Sequence, residues 1–199
     1  MVSPQFLTLT FHIQSDWHLG SGREGGAYAD NLVAKTHSGL PILHGKSIKG
    51  LLRHACQQAL EYEWVKGATQ ELVSQLFGTE DQGLAGQGLL RVDSATLSPA
   101  EAQWFEQHAE HKKHLFRVLF STAINHQRGT AETGSLRSME VAVPLTLSAD
   151  IGIYPQNATQ AEIFPQLITA AVPLITAVGA KRRRGFGEAF VTIKPKEAA

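Results

Sequence analysis

Residues 5–13, QFLTLTFHI, alternate in character: Leu7, Leu9, Phe11 and Ile13 fall on one parity, with Phe6, Thr8 and Thr10 on the other. A period of two puts successive side chains on opposite faces of an extended chain, so this run predicts a strand with one buried face. From about Lys46 to Trp64 the period lengthens. Ile48, Leu51, Leu52, Ala55 and Ala59 recur at helical spacing and make an apolar stripe, while Lys46, Lys49 and Arg53 recur on another face. A short helix is predicted over 69–77, stopped by Gly78, and a second strand over 89–97, LLRVDSATL. Ser98 followed by Pro99 is a helix start, because serine caps and proline fits the first turn. Residues 115–124 and 139–154 read as strands, 158–178 as helical with Pro165 and Pro173 starting or kinking segments, and 186–193 as the final strand.

Between these elements lie stretches with no period. Residues 15–39 include five glycines in GSGREGGAYADNLVAKTHSG, and a loop this long in a compact domain is usually functional or partly disordered. Residues 79–88 are turn-rich, and 125–138, NHQRGTAETGSLRS, are polar, cationic and predicted to be flexible. The coarse order is strand, helix, strand, strand, helix, strand. That predicts an α+β chain with a ferredoxin-like (RRM-type) βαββαβ core carrying inserted loops. No repeat or low-complexity linker interrupts it.

Bulk composition narrows the function classes. Lys+Arg and Asp+Glu number 18 each in 199 residues, so the global field steers neither anions nor cations, and any polyanion site must come from local charge placement. The one cysteine, Cys56, lies on the apolar helix face and reads as core; a chain without an intrachain disulfide fits a reducing cytosol. The N-terminus lacks a cationic, apolar leader pattern, and the longest apolar stretch, LITAAVPLITAVGA, is too short for a membrane span and is broken by Pro173.

Local charge does stand out. GAKRRRGFG, residues 179–187, sets Lys181, Arg182, Arg183 and Arg184 among Gly179, Gly185 and Gly187, and HGKSIKGLLRH, residues 44–54, carries three cations and no acid. Glycines allow close backbone approach to a phosphate, and a helix N-terminus adds a positive dipole end. In a ferredoxin-like fold the two stretches can lie at one end of the sheet and form an anion cradle. The plainer reading of each alone is a solvated charged face.

These residues resemble a family. LPILHGKSIKGLLRHA is similar to the lPyIPGSSLKGalR signature of the RAMP superfamily of CRISPR proteins, and GAKRRRGFGEAFV resembles its glycine-rich loop, GGrrSRGlGrv. Between them, QLFG and GLLRVDSA resemble LFG…GrLiirDa, and INHQRGTAETGSLRSMEVAVP resembles a segment of type III backbone subunits. Four ordered matches run from about Gly20 to Val191. The chain departs from the pattern at His44 (usually proline), Lys46 (serine), Asn125 (aspartate) and Gln127, which interrupts the spacing.

The resemblance implies one RAMP domain over 1–199, with a loop insertion at 20–39, a thumb-like insertion at about 120–140 and the glycine-rich loop at 179–187. It implies a subunit of a type III CRISPR effector in the cytoplasm that binds crRNA by its backbone and meets target RNA and other effector subunits. Lys46, Ser47, Lys49, Arg53, Arg128, Arg137, Lys181, Arg182, Arg183, Arg184 and Gly185 are then the expected RNA contacts. Asp30 matches the loop aspartate of the family's RNA-cleaving subunits, where it would hold Mg²⁺ or another divalent cation, or position a 2′-OH. One carboxylate is a poor Mg²⁺ site alone, so RNA phosphates must supply further ligands. Asp16 is the competing loop acid. Two alternatives stay open: a structural subunit that does not cleave, and a pre-crRNA-processing endoribonuclease using a histidine, His44 or the nearby His37. A generic RRM-like binder would need base-stacking aromatics, which 89–97 lacks. His108, His111 and His114 share a spacing of three but lack the partners of a zinc site, and Phe186 is a possible stacking residue.

Overall fold

The computed structural model describes residues 2–26, 28–79, 86–125 and 127–196. The alternating run forms β1 (Gln5–Ile13), and the helical stripe forms α1 (Gly45–Glu61). There follow α2 (Gln70–Phe77), β2 (Leu90–Val92) and α3 (Pro99–Gln107), the last closed by a reciprocal Ser98–Glu101 capping box. Next come β3 (Phe116–Ser121), the short β4 (Ile124–Asn125) and β5 (Thr130–Ala131), and β6 (Arg137–Ala142). The chain ends with β7 (Leu145–Ile153), α4 (Ala158–Ala171) and β8 (Ala189–Pro195). The turn-rich loop expected over 79–88 falls largely on 80–85, outside the described residues.

The main sheet has the order β2-β7-β1-β8, antiparallel throughout. Its register keeps one parity inward: Leu9 sits between Ala149 and Ile193, and Phe11 between Leu147 and Val191. Against this face pack Ile48, Leu52, Cys56 and Ala59 of α1 with Phe164, Leu167 and Ile168 of α4, all fully buried. Burial raises the Cys56 thiol pKa to about 12, which suits a core residue and not a nucleophile. The opposite sheet face is polar, with His12 stacked on Phe190 across the β1–β8 pair at 4.5 Å.

Two prolines shape the boundaries. The single strand expected over 139–154 is two: β6 pairs with β3, β7 pairs with β1, and Pro144, which has no N–H to give a ladder, lies at the break. Pro165 sits inside α4, which runs on to Ala171, so it neither starts nor ends the helix. A proline there leaves the carbonyl four residues back without a donor. That carbonyl, of Ala161, accepts a hydrogen bond from the Gln5 side-chain amide at 2.9 Å instead.

The β3–β6 hairpin joins the main sheet through the segment after β1. Trp17, fully buried, exchanges main-chain hydrogen bonds with Ala142 at 3.0 and 2.8 Å and donates its indole N–H to the Val143 carbonyl at 3.2 Å. Beyond the hairpin, β4 and β5 form a small ribbon. Among the described residues, no helix is long and apolar enough to cross a membrane. Leu52→Ala removes a fully buried side chain at the centre of the α1 stripe. We expect a loss of about 2–5 kcal/mol in stability, read by urea unfolding.

Candidate functional site

The cationic loop is expected to be flexible from its glycines, but its base is tightly held. Gly179 (φ +75°) and Gly187 (φ +67°) lie where an added Cβ would sit 2.4 Å from the His18 carbonyl and 2.0 Å from the Val178 carbonyl. These glycines serve close backbone approach in a left-handed conformation, not mobility. The approach lets Ala180 N–H reach the His18 carbonyl and Gly187 N–H reach the Asp16 carbonyl, both at 2.7 Å. Val178 N–H donates to the Gly187 carbonyl at 2.8 Å and closes the loop on itself.

On this base the cations are splayed outward. Lys181 is left-handed (φ +56°), a conformation that costs a non-glycine residue about 1–2 kcal/mol, and Arg182–Arg184 form one 3₁₀ turn ended by left-handed Gly185. All four cations are exposed, and none forms an ion pair among the described residues. Like charges so close repel, so the loop's shape comes from its main-chain anchors and not from charge pairing.

The loop divides a groove in two. On one side a cleft of about 600 Å³ is walled by Leu51, His54 and Gln58 of α1 and by Lys181 to Arg184. A smaller recess of about 280 Å³ nearer the start of α1 brings Arg182 and Gly179 against Ser47, Gly50 and His54. On the other side, about 520 Å³ is enclosed by His18 and Asn31, by Ser121, Arg137 and Ser138 of the β3–β6 hairpin, and by Lys181 and Arg184. The two cationic stretches of the sequence therefore do meet. They meet along the flank of α1, whose first N–H is already bonded to Ser94 Oγ at 3.1 Å, so that terminal donor is not free for an anion.

Several expected contacts take other places. Lys46 is exposed and Ser47 lines the recess, but Lys49 and Arg53 lie on a different face of α1. Lys49 Nζ donates to the Leu90 carbonyl at 3.1 Å, and burial, then the neighbouring Arg53 charge, lowers its pKa. Arg53 donates to the Gly78 carbonyl at 2.6 Å and packs over Phe77. Both serve the packing of α1 against β2 and α2, and neither lines the clefts beside the cationic loop. Arg137 lines the hairpin cleft, whereas Arg128 is exposed on the turn between β4 and β5 and lines none of these clefts. Phe186 is half-buried at the end of the loop.

Loop 20–39 is also better ordered than its composition suggests. It folds back on itself, with Ser21 N–H bonded to the Leu32 carbonyl and Ala34 N–H to the Leu19 carbonyl. Asp30 stands exposed at the lip of the hairpin cleft. Its Oδ2 accepts from Ser138 N–H at 2.6 Å, while its own N–H donates to Ser138 Oγ at 3.0 Å. Its second carboxylate oxygen has no partner among the described residues. No group of three metal-ligating side chains occurs among those residues, so Asp30 offers a divalent cation a single ligand and does not by itself make a metal site. Asp16, the competing acid, is tied to Arg117 and lies behind the loop. His44 caps α1 through its backbone and His37 is exposed; neither lines the groove.

Sequence reasoning missed His18 and His54. His54 sits on the face of α1 offset from the cationic row by one residue, a pattern visible only once Ser47, Leu51 and Gln58 are seen to share it. His18 is buried, its Nδ1 held 2.7 Å from the Glu140 carbonyl, and it forms part of the hairpin cleft's floor. Its position just after β1, ahead of a glycine-rich turn, was the available signal.

Comparison with known proteins bears directly on this arrangement. The sequence profile of the RAMP superfamily matches residues 10–190. The chain belongs to the RAMP superfamily. In this RAMP chain the HGKSIKG signature opens α1 and GAKRRRGFG forms the divided groove's central wall. No protein of curated function matches in a direct comparison. Among solved structures, the fold is similar to a chain in the cryo-EM structure of the Type III-B Cmr-beta bound to cognate target RNA, with TM-score 0.69 and 12% identity over 94% of this chain and 96% of that one. It is similar also to a chain of the Type III-B Cmr-beta in its apo state, with TM-score 0.68 and 12% identity over 95% and 97%.

The divided roles of the cations can be separated by stability. Arg53→Ala removes a charged donor from the half-buried Gly78 carbonyl and should lower unfolding free energy by about 1–3 kcal/mol. Arg182→Ala, on the exposed loop, should leave thermal and urea melts within about 0.5 kcal/mol of the parent.

Proposed function

We propose that this RAMP protein is a backbone-type subunit of a type III CRISPR effector, holding crRNA by its phosphates in the divided groove. The observation that carries the reading is the main-chain-anchored loop of four unpaired cations standing between α1 and the hairpin. Exposed cations without acid partners have low self-neutralisation, and a polyanion relieves their mutual repulsion. Charge dominates the groove's central wall, which suits a strand recognised mainly by its phosphates. On this reading Lys46, Ser47, Lys181, Arg182, Arg183, Arg184, Gly185 and Arg137 hold the guide strand, and Arg128 on the β4–β5 ribbon reaches the same strand or its target. The order βαββαβ within the main sheet supports a ferredoxin-like core, with 20–39, about 120–140 and 179–187 as insertions on one RAMP domain. The likeness to chains of a Cmr assembly supports other effector subunits as partners.

We further propose that Asp30 takes part in target RNA cleavage. It lies beside the hairpin cleft with one carboxylate oxygen unpaired, where it would orient a 2′-OH of a strand crossing Ser138 and Arg184. Mg²⁺ would find only this one protein ligand among the described residues, with RNA phosphates supplying the remainder.

Two measurements test these readings. Replacing Lys181, Arg182, Arg183 and Arg184 with Ala should weaken binding of all RNA sequences alike, and flatten the slope of log affinity against log salt by about 0.7 per lost contact. Unchanged affinity, or a loss confined to one sequence, would exclude the phosphate grip. In the assembled complex with guide-matched target and Mg²⁺, Asp30→Ala should abolish cleavage and leave guide binding within about twofold, because loss of a carboxylate does not weaken a polyanion site. Equal cutting by Asp30→Ala would overturn its role, and no cutting by the wild type would favour the structural, non-cleaving subunit. Loss in His44→Ala, with EDTA harmless, would favour the processing enzyme.

A further inference from the structure

Glu140 is the one charged residue in the chain's interior among the described residues, 1% exposed on β6. Buried carboxylates are retained where donors surround them. Its Oε1 accepts from Lys35 Nζ at 2.8 Å and its Oε2 from Val33 N–H at 3.1 Å. Tyr28 faces the same carboxylate; burial first, then that negative charge, raises its phenol pKa. The two donors, Lys35 and Val33, and the Tyr28 phenol belong to one segment, loop 20–39. Lys35 also lies over the Phe116 ring at 4.0 Å, which fixes its ammonium against β3.

The main chain of Glu140 adds two ties. Its N–H donates to the Asn31 carbonyl at 2.9 Å, beside Asp30, and its carbonyl holds His18 Nδ1 at 2.7 Å. The His18 carbonyl in turn accepts Ala180 N–H at the base of the cationic loop. Two residues along the same strand, Ser138 makes the reciprocal pair with Asp30. One stretch of β6 therefore fixes both the loop that carries the acid and the residue on which the cationic loop rests.

We propose that Glu140 is a positioning residue that locks the Asp30 loop onto β6 before any RNA arrives, in one frame with the cationic loop. The proposal rests on the reading of Asp30 and the groove given above, but the lock itself can be measured without RNA. Glu140→Gln keeps the side chain's shape and removes the charge that gathers Lys35, Val33 and Tyr28. Amide hydrogen exchange on the isolated protein is the first readout. Glu140→Gln should speed exchange at Ser21, Leu32, Val33 and Ala34 at least tenfold, with Leu9 and Phe11 of β1 unchanged. Exchange at wild-type rates in the loop, or acceleration spread equally through β1, would overturn the lock. If Glu140→Gln does not fold, Lys35→Gln is read by the same criterion. The second readout is cleavage by the assembled complex with guide-matched target. Glu140→Gln should lower the single-turnover cleavage rate at least tenfold with target affinity within twofold, as a displaced Asp30 would. A rate equal to wild type overturns the positioning role. If the wild-type complex does not cleave at all, the reading of Asp30 fails, and amide exchange alone decides the lock.

Discussion

The segment that continues β1, Gln14 to Leu19, is the joint on which the rest of the site depends. It is bonded on both sides by main-chain groups. On one side Gln14 and Asp16 meet Glu188 and Gly187, and His18 meets Ala180. On the other, Trp17 meets Ala142 and Leu19 meets Ala34. A central strand of a well-buried sheet thus extends directly into the floor of the groove. Because these are backbone bonds around a fully buried indole, the cationic loop, the hairpin and loop 20–39 inherit the rigidity of the core. Precision at the groove then needs no contribution from the exposed side chains themselves.

Much of this architecture was legible in the periodicity. The alternation over 5–13 and the helical stripe over 46–64 correspond to β1 and α1 within a few residues, because burial of one face is what each pattern encodes. Boundaries set by tertiary pairing were less legible. The apolar run 139–154 carries enough hydrophobic residues for one strand, and only pairing partners reveal that its halves belong to different sheets. The long strand expected over 89–97 contracts to Leu90–Val92, with Ala95 and Thr96 making single bridges to Leu43 and Ser148. The final strand, expected over 186–193, begins at Ala189, because Gly187 is spent on the loop's base.

The site was legible as composition and not as geometry. The run Lys181–Arg184 announced a local positive surface, and its neighbour across the groove was correctly sought on α1. Which face of α1 it meets was not evident, since no periodicity tells that the Leu90 and Gly78 carbonyls accept from Lys49 and Arg53. A helix beginning close against a strand uses long cations to satisfy the strand's loose main-chain ends. Conversely, five glycines made loop 20–39 look mobile, whereas a single acid more than a hundred residues away, Glu140, gathers it. Long-range polar ties of this kind leave no periodic trace.

The unpaired charge of the cationic loop has a consequence for how the chain persists. Repulsion among Lys181, Arg182, Arg183 and Arg184, together with the left-handed backbone at Lys181, is carried by the free protein as a standing cost to its fold. A ligand that binds only the folded form adds stability in proportion to its occupancy, about 2.7 kcal/mol at a hundredfold excess over Kd. Folding and loading are then one equilibrium. If the proposed polyanion binds only the folded form, the steady-state amount of intact chain follows its supply, and chains made in excess of that supply are the first to be lost to proteolysis.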